Sequence, residues 1–166
     1  WWGLQPLAVW SPLVRLPAGS WSTDAASLPQ QNAAAGGTWV QLPLQHGICS
    51  VPLRREPGLT SCAAEPRQAV VITSLGAGAW RVGNGLIELD VSSAGLLALR
   101  DRDGRDQLSS SLQLERYRDR GEFWDAWDLA ADYRSQPLGV LRTDSLEWLD
   151  QGPLVAHLVL RRQLGA

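Results

Sequence analysis

Turn-forming residues divide this chain into short segments more strongly than any other feature of its sequence. Short apolar runs recur along it, separated by Gly, Pro, Asn and Asp, and the 3.6-residue apolar period of a helix is almost absent. Proline limits strand length as well, because it lacks the N–H that a sheet ladder uses. The sequence therefore predicts an all-β fold, an antiparallel β-sandwich of short strands.

The prolines also divide the chain into two parts. Eight of the ten lie within residues 1–67, and the composition changes near Arg67. We therefore predict a small Pro-rich β subdomain over residues 1–70 and the first part of a large β-sandwich over residues 71–166.

Alternation of apolar and polar residues predicts the individual strands. The clearest case has Ile87, Leu89 and Val91 on one face and Glu88 and Asp90 on the other. An Asn-Gly pair, typical of a two-residue hairpin turn, precedes it. The predicted strands are 13–16, 38–42, 68–73, 79–82, 86–91, 96–100, 112–115, 145–149 and 154–161, and the Ala- and Gly-rich segment 27–37 is predicted to be a loop.

Charge and apolar run length exclude two classes of partner. Fifteen arginines stand against 17 acidic residues, for a formal charge of -2, so no basic surface for nucleic acid is expected. No apolar run approaches the roughly 18 residues of a membrane span, and no secretory signal precedes the β pattern. The chain contains no Met and opens on Trp1-Trp2-Gly3, from which we expect an excised fragment.

Cys49 and Cys62 are the only cysteines. Without a CxxC or a nearby His pair they do not form a zinc motif. A disulfide between them is one alternative, and two free thiols in a reducing, cytoplasmic setting are the simpler prediction.

The two histidines and the aspartates around Gly104 are further candidates for catalysis or metal binding. His46 and His157 are far apart in sequence, and a structural role is predicted for each. The aspartates around Gly104 are similar to a calcium loop, but Leu112 stands where the closing Glu belongs. A charged hairpin turn is predicted there.

Aromatic and acidic residues concentrate in the segment 123–133. A pyranose stacks its apolar face on a flat ring while its hydroxyls donate to carboxylates, so this composition suits a sugar site. The alternative is that Trp124 and Trp127 anchor a long loop in the core, with Asp125 or Asp128 capping a short helical turn at 129–131.

A family resemblance bears on these alternatives. Trp124-Asp125-Ala126-Trp127-Asp128-Leu129, with Tyr133 downstream, resembles the WDAWD signature in the β-rich C-terminal half of glycoside hydrolase family 38 alpha-mannosidases. Further matching stretches lie in the same order at residues 84–91, 95–101, 112–114 and 152–156. The chain departs from the family at Gly121, where the family has proline.

The resemblance implies a catalytic function for the parent enzyme and a non-catalytic one for this chain. Family members cleave terminal alpha-mannosides with retention, and the zinc ligands and the Asp nucleophile lie in the catalytic domain that precedes the β region. This chain is therefore expected to be non-catalytic and to hold no cofactor itself, with zinc in the parent catalytic domain, its expected partner. Asp125, Trp127 and Asp128 are the residues expected to reach a mannoside at the active-site rim.

Two other functions stay open at this point. One is a stand-alone carbohydrate-binding β module, which needs two or three coplanar, solvent-facing tryptophans. The other is a structural β domain without a ligand.

Overall fold

The computed structural model describes residues 11–24, 26–43, 50–56, 68–119 and 129–164. Within these ranges the fold is all-β with antiparallel sheets, as predicted. The strands are β1 (Leu13–Leu16), β2 (Ser20–Ser22), β3 (Gln30–Asn32), β4 (Thr38–Gln41), β5 (Arg54–Glu56), β6 (Val71–Gly76), β7 (Ala79–Gly83), β8 (Ile87–Ser92), β9 (Gly95–Asp101), β10 (Glu115–Tyr117), β11 (Pro137–Val140), β12 (Ser145–Gln151) and β13 (Ala156–Arg161). No helix in the described ranges is both long enough and apolar enough to cross a membrane.

The strands form five small sheets. The largest has the order β6-β7-β8-β9, and a three-stranded sheet has the order β1-β4-β3. The pairs β2-β5, β10-β11 and β12-β13 complete the set.

The chain divides into two compact units. The first comprises residues 1–72 and 148–158, and the second comprises residues 73–147 and 159–166. The domain boundary after residue 70 that the composition suggests stays a prediction.

The first unit is built around β4. Thr38 and Val40 on this strand are buried, and the pairing places Val40 between Val14 of β1 and Gln30 of β3. Leu28 and Leu154 are the other buried apolar residues of the described chain. Burial of alternate residues on a central strand is the pattern expected where one face meets the core.

The prediction of a loop over 27–37 is wrong in its middle, where β3 lies. Gln30, Gln31 and Asn32 have little intrinsic β-propensity, and they form a strand because β4 supplies the pairing partner. The following turn needs glycine at position 37, where φ is +87 and a Cβ would lie 2.5 Å from the carbonyl oxygen of Leu16.

The second unit contains the four-stranded sheet. The register places Leu89 of β8 between Val82 of β7 and Leu99 of β9. Burial on β8 is the reverse of what its apolar pattern suggests, since Asp90 is 7% exposed and Ile87 is 49% exposed. The acidic face of this strand is thus the more enclosed one.

The predicted strand at 112–115 is also wrong, because β10 begins only at Glu115. Leu112 makes an isolated bridge to Leu96, and its N–H donates to the Leu96 carbonyl at 2.8 Å. Gly95 allows this approach, since a Cβ there would lie 2.5 Å from the Leu112 carbonyl oxygen. The segment therefore covers β9 before the next ladder starts.

Candidate functional site

The residues expected to touch substrate, Asp125, Trp127 and Asp128, lie outside the described residues. The structure does describe the two chain segments that precede and follow them in sequence. We call these segments, residues 114–119 and 129–141, the loop stem.

Backbone pairing holds the two sides of the loop stem together. Strands β10 and β11 are antiparallel, with Glu115 opposite Val140, and the register shifts at Arg116 and Tyr117. Beyond the strands, the N–H of Arg118 donates to the carbonyl of Gln136 at 2.9 Å. The pairing therefore continues past the strands toward the loop.

One hydrogen bond lies still closer to the loop. The carboxylate Oδ1 of Asp119 accepts the backbone N–H of Ala130 at 3.1 Å. A charge-assisted bond between a side chain and a backbone group fixes position better than a neutral pair does. The described residues on either side of the segment 120–128 are thus tied to each other.

Two tyrosine rings pack on each other in the loop stem. Tyr117 and Tyr133 meet edge to face, with ring centroids 5.4 Å apart and an interplanar angle of 84°. The guanidinium of Arg134 lies 5.7 Å from the centroid of Tyr133, within cation–π range, and its Nε donates to the Tyr133 hydroxyl at 3.1 Å. The Tyr117 hydroxyl donates to the Glu115 carboxylate, and this bond raises the pKa of Tyr117.

A short 3₁₀ turn at Tyr133–Ser135 sets the position of Tyr133. The Ser135 hydroxyl donates to the carbonyl of Asp132 at 2.7 Å, and the Gln136 amide donates to the Asp132 carboxylate at 3.0 Å. The packing alternative expects a helical turn slightly earlier, at 129–131. The observed turn follows that segment, and the Ala130 carbonyl accepts the N–H of Tyr133 at 3.0 Å.

The loop stem leaves large apolar side chains exposed. Leu114, Leu129, Leu138 and Val140 are 54%, 60%, 48% and 41% exposed. Ten of the twelve exposed large apolar residues of the described chain belong to the second unit, and among the described residues of that unit Asp90 is the only one with a buried side chain. An apolar surface of this kind is typical of an interaction site.

A cluster of ion pairs crosses the four-stranded sheet. Arg81 binds Asp90 through two hydrogen bonds of 2.8 and 3.0 Å, and Arg100 binds it at 2.9 Å. Glu88 lies 3.1 Å from Arg100 and 3.3 Å from Arg81. The hydrogen bond from Arg81, followed by that from Arg100, lowers the pKa of Asp90 despite its burial. The cluster connects β7, β8 and β9.

His157 is half exposed, and its Nδ1 lies 3.7 Å from Oδ2 of the buried Asp150. The other carboxylate oxygen of Asp150 accepts the N–H of Ala34 at 2.8 Å. This geometry fits the predicted structural role. His46, Cys49 and Cys62 lie outside the described residues.

The aspartates around Gly104 form a charged turn, as predicted. The Asp101 carboxylate accepts the N–H groups of Asp103 and Arg105, each at 2.9 Å, and Asp106 pairs with Arg100. Across the described part of the chain, no group of three or more His, Cys, Asp or Glu side chains is placed to hold a metal ion. These residues therefore do not fit a zinc site.

The tryptophans bear on the binding-module alternative. Four of the nine are described, Trp21, Trp39, Trp80 and Trp148, and each is half-buried. None of the described tryptophans is fully exposed.

Comparison with known families identifies the chain. The family model of the glycosyl hydrolases family 38 C-terminal domain matches residues 82–166, slightly more than half of the chain. The chain therefore belongs to this family, as its resemblance predicts, and the domain is a non-catalytic region of alpha-mannosidases. No curated protein matches the chain.

Proposed function

We propose that this chain is the scaffold that holds the loop 120–128 against the catalytic domain of a zinc-dependent, retaining alpha-mannosidase. In this function the catalytic domain supplies the zinc and the nucleophile. The β region supplies a surface for docking and a loop whose Asp125, Trp127 and Asp128 reach the rim of the mannoside site.

The observation that carries the proposal is the loop stem. Its backbone pairing, the bond from Ala130 to Asp119 and the packing of Tyr117 on Tyr133 all act to fix the ends of the loop. A loop that places side chains at a substrate must have ordered ends, because small errors in position cost binding and rate.

Exposed apolar residues beside the loop support docking. Leu114, Leu138 and Val140 lie in the same stem that carries the loop, so one surface on the partner would cover them and receive the loop together. Apolar area removed from water contributes about 25 cal/mol per Å². Family membership makes an alpha-mannosidase catalytic region the expected partner.

Docking can be tested with variants of the loop stem. The chain is mixed with the catalytic region of a family 38 alpha-mannosidase that lacks its own C-terminal region, and association is followed by sedimentation. Leu114→Asp and Val140→Asp should weaken association by about tenfold or more, since each places a charge in an apolar contact. Leu13→Asp, at an exposed leucine of the first unit, is the matched control and should leave association unchanged. Equal loss in all three variants would contradict the proposal.

The carbohydrate-binding module is the second candidate. It is favoured by the composition of the segment 123–133. Titration of the chain with mannose and a short alpha-mannoside, followed by tryptophan fluorescence, separates the two functions. A scaffold should give no saturable change, whereas a binding module should give one that Trp127→Ala removes.

A further inference from the structure

The turn between β7 and β8 has a sequence that favours a spontaneous chemical modification. β7 ends at Gly83 and β8 begins at Ile87, so the turn consists of residues 84–86. The chain has two asparagines, and Asn84 is followed by glycine whereas Asn32 is followed by alanine. A glycine leaves the backbone nitrogen after an asparagine unshielded, because glycine has no Cβ and adopts most backbone conformations.

The modification is deamidation, and water is its only co-reactant. The backbone nitrogen of Gly85 attacks the side-chain carbonyl carbon of Asn84, so that a new C–N bond closes a five-membered succinimide ring and the bond to the amide nitrogen breaks. The proton of the Gly85 N–H passes through water to the departing nitrogen, which leaves as ammonia. A water molecule then opens the ring at either carbonyl and gives aspartate or isoaspartate, each with one more negative charge than asparagine.

Hydrogen bonds hold the Asn84 side chain in a different position in the folded turn. Its Oδ1 accepts the backbone N–H groups of Leu86 at 3.0 Å and of Ile87 at 3.1 Å. The backbone N–H of Asn84 donates to the Ile87 carbonyl at 3.2 Å as well. To react, the side chain must turn so that its carbonyl carbon reaches the nitrogen of Gly85. The two bonds to residues beyond Gly85 oppose that rotation.

We propose that Asn84 is a deamidation site that the folded turn protects and that opening of the β7–β8 hairpin releases. Water has access to the turn, since Gly85 is exposed and Leu86 is 42% exposed. The two products differ in their effect on the sheet. Aspartate keeps the backbone length, and its carboxylate is an acceptor for the same two N–H groups. Isoaspartate lengthens the backbone by one carbon beside the pair of Gly83 and Glu88, and so disturbs the register of β7 and β8.

Residue-resolved mass spectrometry of the whole chain tests the proposal. The chain is incubated at mildly alkaline pH, folded and in urea, and the peptides that contain Asn84 and Asn32 are followed for the gain of one mass unit. In the folded chain, conversion of Asn84 should be slower than in urea by about tenfold or more, because two hydrogen bonds must break first. In urea, Asn84 should convert faster than Asn32. Equal rates of Asn84 in the two conditions, or equal rates of the two asparagines in urea, would overturn the proposal.

A pair of variants in urea, where folding plays no part, tests the role of the glycine. Gly85→Ala should slow the conversion of Asn84, because the added Cβ shields the attacking nitrogen. Gly83→Ala makes the same change on the other side of Asn84 and should leave the rate unchanged. An equal effect of the two variants would overturn the assignment of the attacking group.

Amide hydrogen exchange in the folded chain measures the opening of the turn independently. The amides of Leu86 and Ile87 become open to exchange when their bonds to Asn84 break. Their protection should therefore be similar to the factor by which folding slows deamidation. Fast conversion of Asn84 while both amides stay protected would overturn the proposal that the turn controls the site.

Discussion

The backbone N–H of Ala130 donates to the carboxylate of Asp119 at 3.1 Å and so joins the two described segments that flank residues 120–128 in sequence. Asp119 is the last described residue before Asp125, Trp127 and Asp128, and Ala130 follows them closely in sequence. A scaffold that presents a loop depends on such a contact, because the ends of a loop limit how precisely its side chains can be positioned.

Asp119→Ala should release the base of the loop. The Ala130 amide loses its acceptor and becomes more open to exchange with solvent. Its exchange rate should rise by about tenfold or more in a hydrogen-exchange measurement. Asp24→Ala, which removes an exposed partner of Arg54 in the first unit, is the control. Unchanged exchange at Ala130 would mean that the bond does not hold the loop.

Asp90→Asn should destabilise the second unit. The substitution removes the charge that both Arg81 and Arg100 contact, and we expect a loss of about 1–3 kcal/mol in the free energy of unfolding. Thermal unfolding should show a lower Tm by several degrees. Asp103→Asn, at an exposed ion pair, should change stability by less than about 0.5 kcal/mol.

The stability difference between the wild type and Asp90→Asn should also depend on pH. The pKa of Asp90 is lowered in the folded state, so its contribution to stability is full above the unfolded pKa of about 3.9 and is lost as pH falls through the folded pKa. The stability difference between the wild type and Asp90→Asn should therefore shrink in acid. Urea unfolding at several pH values measures this, and a difference that grows in acid would contradict the account.

Glu115→Ala should lower the pKa of Tyr117. The hydrogen bond to Glu115 is the main cause of the raised value, so its loss should move the pKa toward the usual value of about 10. The stability that this bond contributes is present below that value and is lost as pH rises. Tyrosinate absorbance reports it well, since the chain has only two tyrosines. Glu147→Ala, at an exposed pair with Arg161, is the control and should not move the titration.

Gln31→Ala should weaken the first unit. The Gln31 side-chain oxygen accepts the N–H groups of Leu154 and Val155 at 2.8 and 2.9 Å, and its nitrogen donates to the Val155 carbonyl at 3.0 Å. Backbone groups that lose such partners cost about 1–3 kcal/mol. Gln113→Ala removes an exposed amide that bonds to the nearby Ser111, and this variant should be close to neutral in urea unfolding.

The sequence predicts those strands whose own alternation of apolar and polar residues agrees with the strand pairing in the structure. β1, β4 and β7 lie within one residue of their predicted bounds, and the alternation in β8 gives its strand correctly. β3 was missed because its Gln and Asn residues have little β-propensity and depend on β4. The burial of Asp90 was missed as well, since it follows from a register that brings Arg81 and Arg100 beside it.

The candidate site is predictable to a smaller extent. The motif that includes Tyr133 resembles the family, yet nothing in the sequence pairs Tyr133 with Tyr117, because their edge-to-face contact forms only when the two sides of the loop stem come together. The substrate-facing role of Asp125, Trp127 and Asp128 stays a prediction.

The most direct test of the scaffold function is an assay of the chain alone with an aryl alpha-mannoside, run with added zinc and with a chelator. The account predicts no hydrolysis above the uncatalysed rate in either condition. Saturable hydrolysis that requires zinc would contradict it, because the chemistry would then lie within these residues.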